Sequence, residues 1–253
     1  MTPPSLSDGA FTGRSRAISG TSYAPLMLLA EDLLLLLTDD DTGRLVASAS
    51  TVDIALGGAQ LIELTLAGRV DLTREGEGRK GRVVVRDGER LGDPLLDEAL
   101  GVVVAHAGKK PAAVVGPLGK KLRERLYDRL VGHRVLRAEQ GKVLGIFPTR
   151  SWPAADAAHE RQVRALLEQA LLTTLPPEPR TAALVSLLQA LRSVHKVVDP
   201  RPHGLSRRQL EKRAKEIAEG EWASAAVRAA VDAMMAATYA AVAAATSVAV
   251  TSG

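Results

Sequence analysis

Cysteine is absent from the 253 residues, which excludes a disulfide framework, a thiol nucleophile and thiolate zinc sites, and fits a reducing compartment. Aromatics are nearly absent too. Two Trp, three Tyr and two Phe leave an aliphatic core as the only option and give nucleobases little to stack on. Long apolar runs are also missing. Leu26–Leu37 is broken by Glu31 and Asp32 and is too short to cross a bilayer. Ala223–Val250 is longer but mostly alanine, and Arg228 and Asp232 interrupt it, so it reads as a buried or groove-packed helix. The first twenty residues are polar, without the apolar stretch of a secretory leader. These absences lead to the expectation of a soluble, cytoplasmic protein.

What the chain does have is concentrated positive charge. Residues 109–137 carry nine Lys/Arg and two acids, a net charge of +7, whereas the whole chain is only +4. Charge gathered in this way implies an anionic partner. Leu118, Leu122, Leu126 and Leu130 recur every four residues, which predicts one helix over about 117–130 with a buried leucine ridge. On it Lys120 groups with Arg123, and Lys121 with Arg125 and Arg129. The stretch from Val143 to Pro153 reads as the end of a hairpin carrying Phe147 and Trp152, with Arg150 between them. A basic face beside an apolar finger suits a membrane surface better than a substrate pocket.

The rest is read as mainly α: a single compact helical domain with two small β-hairpins, one projecting with an apolar tip. Residues 1–22 are rich in Gly, Ser, Thr and Pro and are expected to be a disordered tail, leaving 23–250 as the domain. Helices are predicted over 26–37, with Glu31 and Asp32 on the polar side, and over 51–66, where Gly57-Gly58 marks close packing or a bend. Arg44–Ala47 is a short-strand candidate. Val70–Leu72 and Arg82–Arg86 flank a loop and read as a hairpin. Asp93-Pro94 is a favoured helix opening. Val135 to Phe147 reads as a second strand pair, and helices follow at 156–173, 180–196, 206–219 and 221–247.

Several of these segments resemble the Golgi phosphoprotein 3 family. The resemblance runs in family order through Leu28–Gly43, Gly58–Val70, Gly92–Leu100, Leu122–Leu126 with Val135-Leu136, and Pro179–Leu188. The Ala-, Arg- and Gly-rich composition looks more like a bacterial member than a Golgi one. The resemblance implies a helical domain that binds phosphatidylinositol 4-phosphate in a basic pocket beside an apolar hairpin, the hairpin serving membrane contact or self-association. It also implies that the protein holds cytoplasmic tails of membrane enzymes. Two pocket arginines of the family fall on Lys120 and Arg123. The pocket tryptophan falls near Ser48, and a further arginine near Gly57. Two of four positions thus keep a cation. Lysine offers a point charge where arginine offers a fork, so the expectation is a general anionic headgroup site rather than a selective one.

On this reading Lys120 and Arg123 hold the phosphate, Lys121 and Arg125 add long-range attraction, and Phe147, Trp152 and Arg150 meet a membrane or a second subunit. The protein is then cytoplasmic and peripherally membrane-associated. Enzyme chemistry finds no constellation. His106, His133, His159, His195 and His203 are scattered without metal spacing, GxSxG is missing, and Gly101–Lys109 has the wrong spacing for a phosphate loop. Neither a metal nor a cofactor is expected, and Asp39-Asp40-Asp41 reads as a solvated turn. Glu63, Asp97 and Glu98 read as structural ion-pair partners or caps. Two alternatives stay open: an adaptor for protein tails without lipid selectivity, and nucleic-acid binding, to which the basic stretch Ser206–Lys215 would contribute.

Overall fold

Leu29–Leu36 forms a helix, α1, buried on every face, including Glu31 and Asp32. A helix that is apolar all round belongs inside a bundle. Four helices surround it: α2 (Ala49–Leu66), α5 (Leu122–Gly132), α6 (Ala158–Leu172) and α7 (Pro179–Ala190). The computed structural model describes residues 27–143 and 147–251, with side chains described outside 141–149 and 241–251. The tail expected over 1–22 and the tip of the second hairpin lie outside the described residues. The remaining helices are α3 (Pro94–Ala105), α4 (Ala112–Gly119), α8 (Val194–Val197), α9 (Arg207–Ala218) and α10 (Ala225–Thr251). The molecule is mainly α, with two antiparallel two-stranded sheets: β1 (Val70–Leu72) with β2 (Val83–Val85), and β3 (Glu139–Val143) with β4 (Phe147–Ser151). Among the described residues no helix is long and apolar enough to cross a membrane.

The polar side expected for α1 does not exist. Glu31 and Asp32 point inward because distant basic residues reach them. Asp32 Oδ2 accepts from Arg180 Nη2 at 2.9 Å, and Asp32 Oδ1 lies 2.7 Å from His159 Nε2. Arg180 also donates through Nη1 to Glu63 Oε1 at 2.7 Å and through Nη2 to the Met27 carbonyl. Glu63 Oε2 in turn accepts from the Leu29 amide at 2.8 Å, satisfying a free donor at the start of α1. Glu31 accepts from the Leu28 amide and pairs with Arg129 Nε at 3.1 Å. Arg180, at the first turn of α7, therefore ties α7 to α1 and α2.

The predicted 117–130 helix is two helices. α4 ends at Gly119, Lys120 is extended, and Lys121 sits in the left-handed region at φ 57° before α5 begins. Pro117 removes a backbone donor within α4, and glycine weakens its last turn. The leucine ridge survives the break, because Leu118, Leu122, Leu126 and Leu130 are all buried. The break serves packing. A Cβ on Gly119 would overlap the Asp53 carbonyl of α2, and one on Gly57 would overlap the Val115 carbonyl of α4. The close packing read from Gly57 is thus a backbone contact between α2 and α4. α10 lies against both helices, with Ala230, Ala233 and Met234 buried, as the groove-packed reading of this segment expects.

Smaller departures are local. Arg44–Ala47 forms only an isolated bridge, Leu45 to Thr38. The second hairpin is displaced towards the C-terminus, with Val143 opposite Phe147 and Glu139 opposite Ser151, and Leu136 bridges Ala154. The helix expected over 180–196 ends at Ala190. There Arg192, at φ 53°, allows Ser193 N–H to bond the Leu188 carbonyl, which closes the helix end.

Two outcomes follow from this packing. Gly57→Ala and Gly119→Ala should each lower unfolding stability by about 1–3 kcal/mol or more, because the obstacle is backbone. Gly116→Ala, which meets open space, should be neutral or slightly stabilising in the same denaturant titration. The pH dependence has a definite sign. Burial, with Asp40 alongside, pushes the Glu160 carboxyl up to about 7 despite Arg164. The folded chain thus holds this proton more tightly than the unfolded chain does. The resulting stabilisation, about 3 kcal/mol, is complete below the ordinary carboxylate range and lost as pH rises to about 7. Burial raises Glu31 and Glu63 too, and the Asp32 hydrogen bond raises His159, all with the same sign. Tm should therefore fall between pH 5 and pH 8, and Glu160→Gln should flatten part of that slope.

Candidate functional site

The break between α4 and α5 exposes Lys120 and Lys121 side by side, and neither forms an ion pair among the described residues. One turn on, Arg123 is half-buried. Its Nε donates to Asp53 Oδ1 at 2.8 Å, and its Nη2 to Glu124 at 3.1 Å. Asp53 lies one helical turn before Gly57 on α2, whose N-terminal half runs along the α4–α5 turn through the Gly57 and Gly119 contacts. Lys120, Arg123 and Gly57 are thus gathered at one corner of the fold, with Asp53 among them.

The other expected residues lie differently. Arg125 leaves the corner and makes a two-pronged pair with Glu98 of α3, at 2.8 and 2.6 Å, which holds the Glu98 carboxyl below its ordinary range. Its charge is matched there, so the long-range attraction expected of it is largely cancelled. Arg129 turns inward to Glu31 and Asp93, so it shares no exposed ridge with Lys121. Ser48 is the N-cap of α2, exposed, accepting from the Thr51 amide and donating to Thr51 Oγ1. Gly57 is buried against α4 and presents nothing to a ligand. Of the nine cations in 109–137, four are held by carboxylates: Arg123, Arg125, Arg129 and Arg137.

Trp152 is at the foot of the second hairpin, not at its end. The residue is half-buried and its ring stacks on Tyr127 of α5, with centroids 4.0 Å apart and planes 2° from parallel. Its amide donates to the Gly43 carbonyl at 3.0 Å. Arg150 is exposed on β4, opposite Gln140, and Phe147 pairs with Val143 at the far end of the ladder, its side chain outside those described. The aromatic end expected of the hairpin therefore reduces to Phe147.

Asp53 escaped the sequence reading. No local pattern marks it, since its role comes from the contact of α2 with Arg123 of α5. Glu63 and Glu98 do act as ion-pair partners, and Asp97 accepts from the Leu91 amide at 2.6 Å. Asp39 caps its own turn by accepting from Thr42. On α9, part of the second basic stretch, Arg207, Lys212 and Lys215 pair with Glu211, Glu216 and Glu219 one turn away. Among the described residues no group of three His, Asp or Glu side chains is placed to hold a metal.

A family model described as Golgi phosphoprotein 3 (GPP34) matches residues 29–234, from the buried first helix well into α10. A relative, vacuolar protein sorting-associated protein 74 of Eremothecium gossypii, is 26% identical over 238 residues, covering 78% of this chain and 71% of the relative. The match spans the helices that build both the core and the α4–α5 corner, so the chain belongs to the Golgi phosphoprotein 3 (GPP34) family.

Proposed function

We propose that this protein is a non-enzymatic peripheral membrane protein that binds an anionic phosphate headgroup at the α4–α5 corner. The observation that carries the reading is the pair of exposed lysines, Lys120 and Lys121, without carboxylate partners among the described residues, beside Arg123, which Asp53 and Glu124 engage. Lys120 and Arg123 are also the two positions where the family resemblance puts pocket cations. Each cation close to an acidic bilayer contributes about 1 kcal/mol, so this corner gives reversible attraction. Phe147 and Arg150 would add contact from the hairpin, or serve self-association.

Asp53 and Gly57 shape the selectivity. A phosphate must compete with Asp53 for Arg123, and at Gly57 and Ser48 it finds neither a second fork nor an aromatic wall. The site should therefore accept acidic headgroups broadly rather than single out phosphatidylinositol 4-phosphate. The kinship to a protein named for vacuolar protein sorting favours a second reading, an adaptor that holds cytoplasmic tails of membrane proteins.

Vesicle co-sedimentation separates these readings. Neutral vesicles should leave the protein in the supernatant. Vesicles with phosphatidylinositol 4-phosphate, phosphatidylglycerol or cardiolipin at matched charge should pellet it alike. Lys120→Ala with Arg123→Ala should weaken that binding about tenfold or more with a small change in Tm. Unchanged binding rejects the site, and no binding to any acidic vesicle leaves the adaptor reading. Asp53→Asn should strengthen acidic-vesicle binding several-fold by releasing Arg123, an effect that high salt should erase.

A further inference from the structure

A cavity of about 470 Å3 opens between α7, α9 and α10 and shares no residue with the α4–α5 corner. Its size is that of a small-molecule site. Trp222, Val227, Val231 and Met235 line its apolar part, and Tyr239 stands at its side, 57% exposed. The indole is held in place, Trp222 Nε1 donating to the Ile217 carbonyl at 2.6 Å. In a chain with seven aromatics, two gathered at one open cavity are a notable share.

The polar lining is cationic on balance. Its charged residues are Arg192, Lys215, Arg228, Glu219 and Asp232, the last one turn from Arg228 on α10. Lys215 and Glu219 pair with each other at 3.7 Å, while Arg192 and Arg228, both exposed, form no ion pair among the described residues. Arg192 also occupies the left-handed position that ends α7, where glycine is the relaxed choice. An apolar trough with unpaired guanidinium groups beside it is complementary to a molecule that is apolar along its length and anionic at one end.

We infer that this cavity binds a single-chain amphiphile with a carboxylate or phosphate end, its chain along Trp222, Val231 and Met235 and its anion between Arg192 and Arg228. A membrane protein could meet such a molecule as a free fatty acid or as a lipid phosphate, and the shared chemistry is a linear chain ended by an anion.

The test uses the 253-residue chain carrying Trp152→Phe, which leaves Trp222 as its single tryptophan. Dodecanoate, dodecyl phosphate and dodecanol are titrated below their micelle concentrations while Trp222 emission is followed. Saturable binding of either anion, at least about fivefold tighter than dodecanol, supports the assignment, and the tighter anion names the source. Arg192→Gln with Arg228→Gln should bring the anions down to the affinity of dodecanol. Val231→Phe should weaken all three, and Lys120→Ala with Arg123→Ala should change none. Equal affinity for anions and alcohol, or no saturable change with any of them, overturns the proposal. So does emission that depends on protein concentration alone, which would assign the groove to a second copy.

Discussion

Arg180 is shared by two carboxylates and a main-chain carbonyl, drawn from α2 and from the region of α1, and the core is arranged around that sharing. α1 can be buried on all sides only if Glu31 and Asp32 find partners, since an uncompensated buried charge costs several kcal/mol. Asp32 finds Arg180 and His159, from α7 and α6, and Glu31 finds Arg129 from α5. The same acids that keep the leucine run from being a membrane span fix which neighbours pack against it. Leucine burial supplies the bulk of the stabilisation, but aliphatic side chains fit in many registers, and the ion pairs allow few.

Electrostatic matching of this kind also decides where an anion can be held. Counted along the sequence, 109–137 is a block of positive charge. In the folded chain α1, α2 and α3 supply Glu31, Asp53 and Glu98, and several of its arginines work as internal ties. What remains for a partner is narrower: Lys109, Lys110, Lys120, Lys121 and Arg134 are exposed without an ion pair among the described residues, and of these Lys120 and Lys121 stand at the helix break beside Arg123, which Asp53 engages. A basic segment and a basic surface are different quantities, and only the second bears on binding.

Much of the fold was legible because its signals are local. Asp93 before Pro94 caps α3, Ser206 with Gln209 forms a capping box on α9, and Val70–Leu72 pairs with Val83–Val85. The features that escaped are those set by residues far away. The leucine spacing runs unbroken through Lys120-Lys121; Pro117 and Gly119 weaken the helix there, but the approach of Gly119 to α2 that the break serves is a contact between helices. Glu31 and Asp32 sit in an apolar run like a solvent-facing pair, and Arg180, which turns Asp32 inward, lies 148 residues later. Trp152 looks like a hairpin tip residue until Tyr127 is seen beneath it. Lys120 and Arg123 could be singled out in the sequence, but Asp53 could not, since its importance comes from a contact between helices.

The Gly57–Gly119 crossing has a bearing on how the proposed binding corner could change over time. The family resemblance puts a headgroup arginine near position 57, yet at Gly57 any side chain would run into the α4 backbone. A single codon change cannot put a cation there while α2 and α4 keep their spacing; the helices would first have to move apart. For the proposed headgroup site, discrimination is thus constrained by architecture as well as by surface chemistry, and sharper preference is more accessible through Ser48 or Asp53, whose side chains already face open space or a replaceable partner.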